Sequence, residues 1–361
     1  MRVSRGILGF LVAAVCLLAL SCSDDSDSLR PQPPGPLVYG SLLTPRVSME
    51  ADHLLADAYQ HLGADRFSVA HLSLSWSGVA SGPVLRRWGA FASHVRRALE
   101  EGTTLSVVLE IVHGGEADIP EWFRPEFPGW EDQDLKWELV RFLRELARRS
   151  QGTVGYLWLG EGADRYAASH EDEAEALRLF LAEIADSTRQ IFPGAKVGTL
   201  ITPSIVSENG QADFVRSLRG SLDLLGLSVF AADTVGGDAD PGRSVAEVTA
   251  AIAPWSDRPF AILETGFPST GLFGATEEQD QAAFASAIAT WLRQRPGTLS
   301  LFCWAPLHDA NSELSDSLAR RRYPGDPAEQ ARFRALMGAS GLRRNDGSMK
   351  PSRQIFYDER P

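Results

Sequence analysis

From residue 37 onward the sequence repeats one pattern, a short apolar run followed by a longer amphipathic stretch. Eight runs are candidate strands: residues 37–43, 66–74, 104–112, 154–159, 195–201, 222–229, 260–263 and 299–304. Each is mostly apolar, as a strand buried on both faces must be. The stretch 135–149 places Leu135, Leu139, Phe142, Leu143 and Leu146 on one helical face with charges opposite. Stretches 171–192 and 277–295 behave alike, and Thr276 is the expected N-cap of the latter, with Gln279 in the capping-box position. Eight β-then-α units predict an α/β protein, a single (β/α)8 TIM barrel. A doubly wound open sheet is the alternative, but residues 42–46 lack the glycine-rich first turn it uses. A body of roughly 320 residues suits one barrel. Residues 342–356 are expected to close it.

The N-terminus reads differently. Arg2 and Arg5 precede an uncharged apolar stretch, residues 6–20, and Leu18-Ala19-Leu20-Ser21-Cys22 resembles a bacterial lipobox. The expectation is a lipoprotein signal peptide over 1–21, with lipid carried on Cys22. Residues 22–36, acidic and serine-rich and then proline-rich, are the expected flexible tether, and 37–361 the barrel. Ser23 after the lipidated cysteine resembles outer-membrane sorting, so a cell-envelope, membrane-anchored monomer is expected. Of three cysteines, Cys16 leaves with the signal and Cys22 is lipidated, which leaves Cys303 as a small buried hydrophobe without a disulfide. Removal of Arg2 and Arg5 takes the net charge from −12 to −14. An acidic chain without a basic tract is a poor partner for nucleic acid. No H-E-x-x-H or similar spacing indicates a metal, and no cofactor is expected.

A β/α barrel carries its active site at the C-terminal ends of its strands. The residues there are Trp76, His113, Glu161, Phe230, Glu264 and Trp304. Period two puts Leu157, Leu159 and Glu161 on one face, and Phe260, Ile262 and Glu264 on another. If those apolar residues fill the barrel, both glutamates reach its mouth. Two facing carboxylates are what cleavage of a glycosidic bond requires. One protonates the leaving oxygen; the other attacks the anomeric carbon from about 5–5.5 Å away in retaining enzymes.

The segments around these residues resemble clan A glycoside hydrolases over roughly residues 37–356. Tyr156-Leu-Trp-Leu-Gly-Glu161 is similar to their strand-four acid/base segment, and Ala261-Ile-Leu-Glu264-Thr-Gly-Phe-Pro-Ser269 to their strand-seven nucleophile segment. Glu-Thr-Gly-aromatic-Pro-Ser is especially similar to the β-1,3-glucanases. Residues 223–230 resemble the sixth strand, and Leu301-Phe-Cys-Trp304 the eighth, with its active-site tryptophan. The run from Gly341 to Pro351 resembles the closing segment of endo-β-1,4-galactanase-like members. The resemblance implies a retaining hydrolase of poly- or oligosaccharide, Glu161 as acid/base and Glu264 as nucleophile. It departs at two places: Gly160 stands where the family has asparagine, and Phe230 where it has a tyrosine that hydrogen-bonds the nucleophile. Each lost hydrogen bond to a charged group is worth about 1.5–3 kcal/mol. A barrel that binds glycans without hydrolysing them is therefore the rival reading.

Plainer roles stand beside these. Glu161 could pair with Arg165, and Glu110 reads as mid-strand on the face opposite His113. Trp76 and Trp304 are equally sugar platforms or core. The 113–131 loop, with Trp122, Phe123, Phe127 and Trp130, is either a cleft wall or a self-packed lid.

Overall fold

Strand β1 (Val38–Leu42) pairs in parallel with both β2 (Val69–Ser75) and β8 (Leu299–Trp304), which leaves the sheet without an edge. Between them run β3 (Thr104–Glu110), β4 (Val154–Glu161), β5 (Lys196–Ile201), β6 (Leu224–Ser228) and β7 (Phe260–Thr265). Each pairs with its sequence neighbour to close the expected eight-stranded parallel barrel. The computed structural model describes residues 36–43, 52–79, 88–123, 129–203, 206, 210–230, 241–270, 277–295, 297–323 and 325–361. Cys22, the signal and tether through residue 35, Phe127 and Thr276 lie outside the described residues. Among the described residues, no helix is long and apolar enough to cross a membrane.

Among the described residues each strand is followed by a longer helix, α1 (Asp52–Ala64), α2 (Gly89–Glu101), α3 (Gln133–Ser150), α4 (Ala174–Ile191), α5 (Ala212–Arg219), α6 (Pro241–Ile252), α7 (Glu278–Arg293) and α8 (Pro351–Glu359), and the short helices Trp76–Val79 and Ala163–Ser169 precede α2 and α4. In α3 the stripe expected from sequence is buried throughout, and burying each such side chain is worth about 1.5–3 kcal/mol. Asp132 caps that helix, accepting the Leu135 N–H at 2.8 Å, because the first-turn amides have no partner within the helix. Helix α7 is capped one residue later than sequence suggested. Glu277 is its N-cap and Asp280, not Gln279, completes the reciprocal box. Two further helices, Ser312–Arg322 and Pro327–Ala339, stand between β8 and α8 and pack on each other.

The inner and outer faces of the barrel are the reverse of the sequence expectation. Leu157, Leu159, Phe260 and Ile262 point outward and pack with the helices. Trp158, Val69, Val108, Leu200, Ala261, Leu263, Leu301 and Cys303 form the separate cluster that fills the barrel. Trp158 is accommodated because β5 presents Gly198 beside it; a Cβ there would lie 2.5 Å from the indole. Large and small residues alternate across the layer, as a closed barrel requires.

The closing segment is tied down by charge. Lys350 Nζ, buried, donates to Asp309 Oδ1 at 2.7 Å, to Ser269 Oγ at 2.9 Å and to the Ala339 carbonyl at 2.9 Å. Ser269, the last residue of the strand-seven motif, thus fastens that loop to the C-terminal segment. Arg343 and Arg353 share the buried carboxylate of Asp65.

Candidate active site

Strict alternation would aim Glu161 and Glu264 outward with their leucine and isoleucine neighbours. Both are turned inward by a one-residue bulge. In β4 the register runs Trp158↔Gly198 and then Glu161↔Leu200, one residue more than β5 supplies. In β7 it runs Leu227↔Ile262 and then Ser228↔Glu264. A bulge re-aims the next side chain and is common beside active sites. The sequence expectation therefore places both carboxylates at the mouth, but by a different cause than shared periodicity.

The β4 bulge explains Gly160. Its φ is +85°, and an added Cβ would lie 2.7 Å from Val112 Cγ2. A side chain pays both for the left-handed backbone, about 1–2 kcal/mol, and for overpacking, about 1–3 kcal/mol. Gly160→Ala is expected to lower unfolding stability by roughly 2–5 kcal/mol in urea titration. A double-mutant cycle with Val112→Ala should recover only the steric share; full additivity would show that Val112 is not the obstacle.

Glu264 is buried, and Ser228 Oγ donates to its Oε2 at 2.6 Å. Ser228 ends β6 on the inward face shared with Leu224 and Gly226, and it supplies the hydroxyl expected two residues later. Phe230, two residues further on, is buried. It packs with Ala305, Ala310, Phe333, Leu336 and Met337, under the inserted helix pair. The hydroxyl missing at residue 230 is therefore present at residue 228, a partner missed because the strand was aligned on its last aromatic.

Glu161 sits in a second group. His113 Nδ1 lies 3.4 Å from Glu161 Oε2 and 3.7 Å from Glu110 Oε1. The sequence reading set Glu110 and His113 on opposite faces, which an unbroken strand would do. Strand β3 instead stops at Glu110, and Val112–His113 forms a two-residue antiparallel ribbon with Glu116–Ala117. The Gly114-Gly115 loop, with φ of +60° and +90°, is the glycine pair that a tight hairpin favours. Asp118 then accepts from Ser75 at 2.6 Å and from Ser77, which pins this loop to the end of β2.

Beneath both glutamates lies a histidine that sequence reasoning passed over. His71 is fully buried on the inward face of β2, its Nδ1 2.9 Å from Ser106 Oγ, which also accepts the Trp158 indole N–H at 2.8 Å. Burial pushes the His71 pKa down, while the carboxylates of Glu264 and Glu161 pull it up. One buried imidazole thus feels both charges. The Cys303 thiol is pushed up by burial and by Glu264, and stays a neutral part of the same interior.

The expected aromatic platforms are placed elsewhere. Trp304 is fully buried on the outer face, its ring edge-on to Phe284 at 5.8 Å and its N–H donated to the Ser340 carbonyl. The outward parity of β8 at Trp304 is the reason: Leu301 and Cys303 hold the inner face. Trp76 is buried in the same barrel–helix cluster. Trp130 anchors the 113–131 loop against Tyr166 and Phe180, whereas Trp122 is 41% exposed and packs on Phe123 at 4.3 Å.

A scan of the sequence against protein-family models finds no match, and a search of curated proteins finds none either. Solved structures do match. An exo-β-1,4-mannosidase from Opitutaceae bacterium strain TAV5 superposes with a TM-score of 0.67 at 14% identity, over 89% of this chain and 58% of that one. This chain thus spans under two thirds of the mannosidase. A GH5_18 protein from Streptomyces cattleya, in complex with Manβ1-4GlcNAc, gives 0.64 at 15% identity over 89% and 79%. The family 17 β-1,3-glucanosyltransferase of Rhizomucor miehei gives 0.56 at 12% over 88% and 97%. What the chain shares with them is the fold. It is a (β/α)8 barrel, the architecture these carbohydrate-active proteins use.

Proposed function

We propose that this barrel is a retaining glycoside hydrolase acting on a poly- or oligosaccharide at the bacterial cell envelope. Glu264 attacks the anomeric carbon, and Glu161 protonates the leaving oxygen and then activates water. The observation that carries the reading is the pair of bulges, since each spends a residue of strand pairing to bring a carboxylate inward. Their surroundings differ in the way the two roles require. Ser228 donates to one oxygen of Glu264 and so fixes the orientation of the carboxylate that would attack. Glu161 lies 3.4 Å from an imidazole that is itself 3.7 Å from a second carboxylate, the titratable company of a group that transfers protons. The resemblance of segments 156–161 and 261–269 to clan A hydrolases, and neighbours that include a mannosidase and a glucanosyltransferase, point to the same chemistry. His113 is the further substrate-facing candidate; Trp76 and Trp304 support the walls from behind, and Phe230 packs under the inserted helix pair.

Signal residues 1–21, lipid on Cys22 and the tether to residue 36 would hold the barrel at the envelope, on the outer membrane. The rival reading, a barrel that binds glycan without turnover, loses part of its ground because Gly160 serves the bulge and Ser228 supplies the missing hydroxyl. The test is proton NMR of the first product released from aryl β-mannosides, β-glucosides and β-galactosides. The expected result is hydrolysis of one class with the anomeric configuration kept. An inverted first product refutes the two-step mechanism, and saturable glycan binding without any turnover establishes the rival.

A further inference from the structure

We propose that Glu110, His113 and Glu161 form a binding site for a divalent transition metal of the zinc type, and that the bound ion switches the hydrolase off. The second half rests on the assignment of Glu161 as acid/base; the first does not. One ligand atom from each residue lies within 4.8 Å of the others. The His113 Nδ1 separations, 3.4 Å to Glu161 and 3.7 Å to Glu110, are too long for hydrogen bonds. They fit an ion held in common. Nitrogen and oxygen ligands at about 2.0–2.2 Å from a tetrahedral zinc stand roughly 3.4 Å apart.

A second observation concerns the histidine alone. Both ring nitrogens of His113 are buried and neither has a hydrogen-bond partner. A buried imidazole without partners costs free energy, and a metal bond from Nδ1 removes that cost on one side. The three ligands come from the end of β3, the ribbon and the end of β4, each fixed by backbone pairing, so no chain movement is needed to assemble them. One imidazole and two carboxylates favour zinc-type ions over magnesium, which demands octahedral oxygen. Nε2 lacks the acceptor that usually steadies a ligating histidine, so affinity in the micromolar range is expected. With Glu161 on the metal, its oxygen is no longer available to deliver a proton.

Titrating the whole chain, previously stripped with a chelator, with zinc chloride in a calorimeter and without sugar tests the site. About one equivalent should bind. Glu110→Gln and His113→Ala should each weaken binding at least about 30-fold while keeping wild-type circular dichroism, and Glu264→Gln should bind as wild type. Should His113→Ala misfold, His113→Gln takes its place. No saturable binding, or equal affinity in Glu110→Gln and both His113 variants, overturns the site. Zinc should abolish aryl glycoside hydrolysis and a chelator restore it. Binding at the trio with unchanged hydrolysis overturns the switch, whereas absent hydrolysis in metal-free protein refutes the catalytic reading and leaves the titration to decide the site.

Discussion

Glu264→Ala is expected to reduce hydrolysis of aryl glycosides by at least about 10⁴-fold, because on the proposed assignment it removes the covalent route altogether. The effect should fall on kcat, with substrate still bound. A 2-fluoro sugar with a good leaving group sharpens the test: fluorine slows breakdown of the glycosyl-enzyme, so wild type accumulates it. Mass spectrometry should find one sugar on a peptide containing Glu264, and none in the variant. Labelling of a different residue would move the nucleophile elsewhere. The variant removes a buried carboxylate, so thermal stability should not fall. A buried carboxylate kept for activity is held at the expense of stability. A large drop in Tm would instead mark Glu264 as a structural residue.

How much of this site the sequence reveals depends on the backbone around each residue. The barrel was legible because eight apolar runs alternate with amphipathic stretches, and the α3 stripe from Leu135 to Leu146 lies where its period puts it. Glu161 and Glu264 were found at the right strand ends, yet the periodicity used to aim them pointed the wrong way. Inserted residues cancelled the error. A bulge leaves little trace in composition; the positive-φ Gly160 is its one visible mark, and it was taken for a missing asparagine.

Other residues were lost to the same cause. Ser106, Val108 and Glu110 share the inward face of β3, so alternation from a correctly assigned core would have found Glu110. Ser228 follows Leu224 and Gly226 in the same manner. The break after Glu110, which brings His113 round to it, is encoded by Gly114-Gly115, a hairpin signal read as a loop. Trp304 shows the opposite failure. Its position at the end of β8 fits the family pattern, but the inner face there belongs to Leu301 and Cys303, and the indole is committed to Phe284 and Ser340. Resemblance can locate a strand end without fixing which way its last side chain points.

Glu161→Gln separates the two steps of the mechanism, and its effect should depend on the leaving group. A glutamine cannot supply a proton, so substrates with a poor leaving group, such as a second sugar, should lose about 10²–10⁴-fold in kcat/KM. A dinitrophenyl glycoside leaves without protonation, and its kcat/KM should stay close to wild type. Its kcat should still fall, because in the proposed mechanism Glu161 would also activate the water that frees the sugar from Glu264. Azide needs no base and reacts with the accumulated glycosyl-enzyme, so adding it should restore kcat and yield the β-glycosyl azide. His113, 3.4 Å from Glu161 and 3.7 Å from Glu110, marks the side of the site at which the proton would be handled. A uniform loss across leaving groups, without azide rescue, would mean that Glu161 holds the site together and does not transfer the proton.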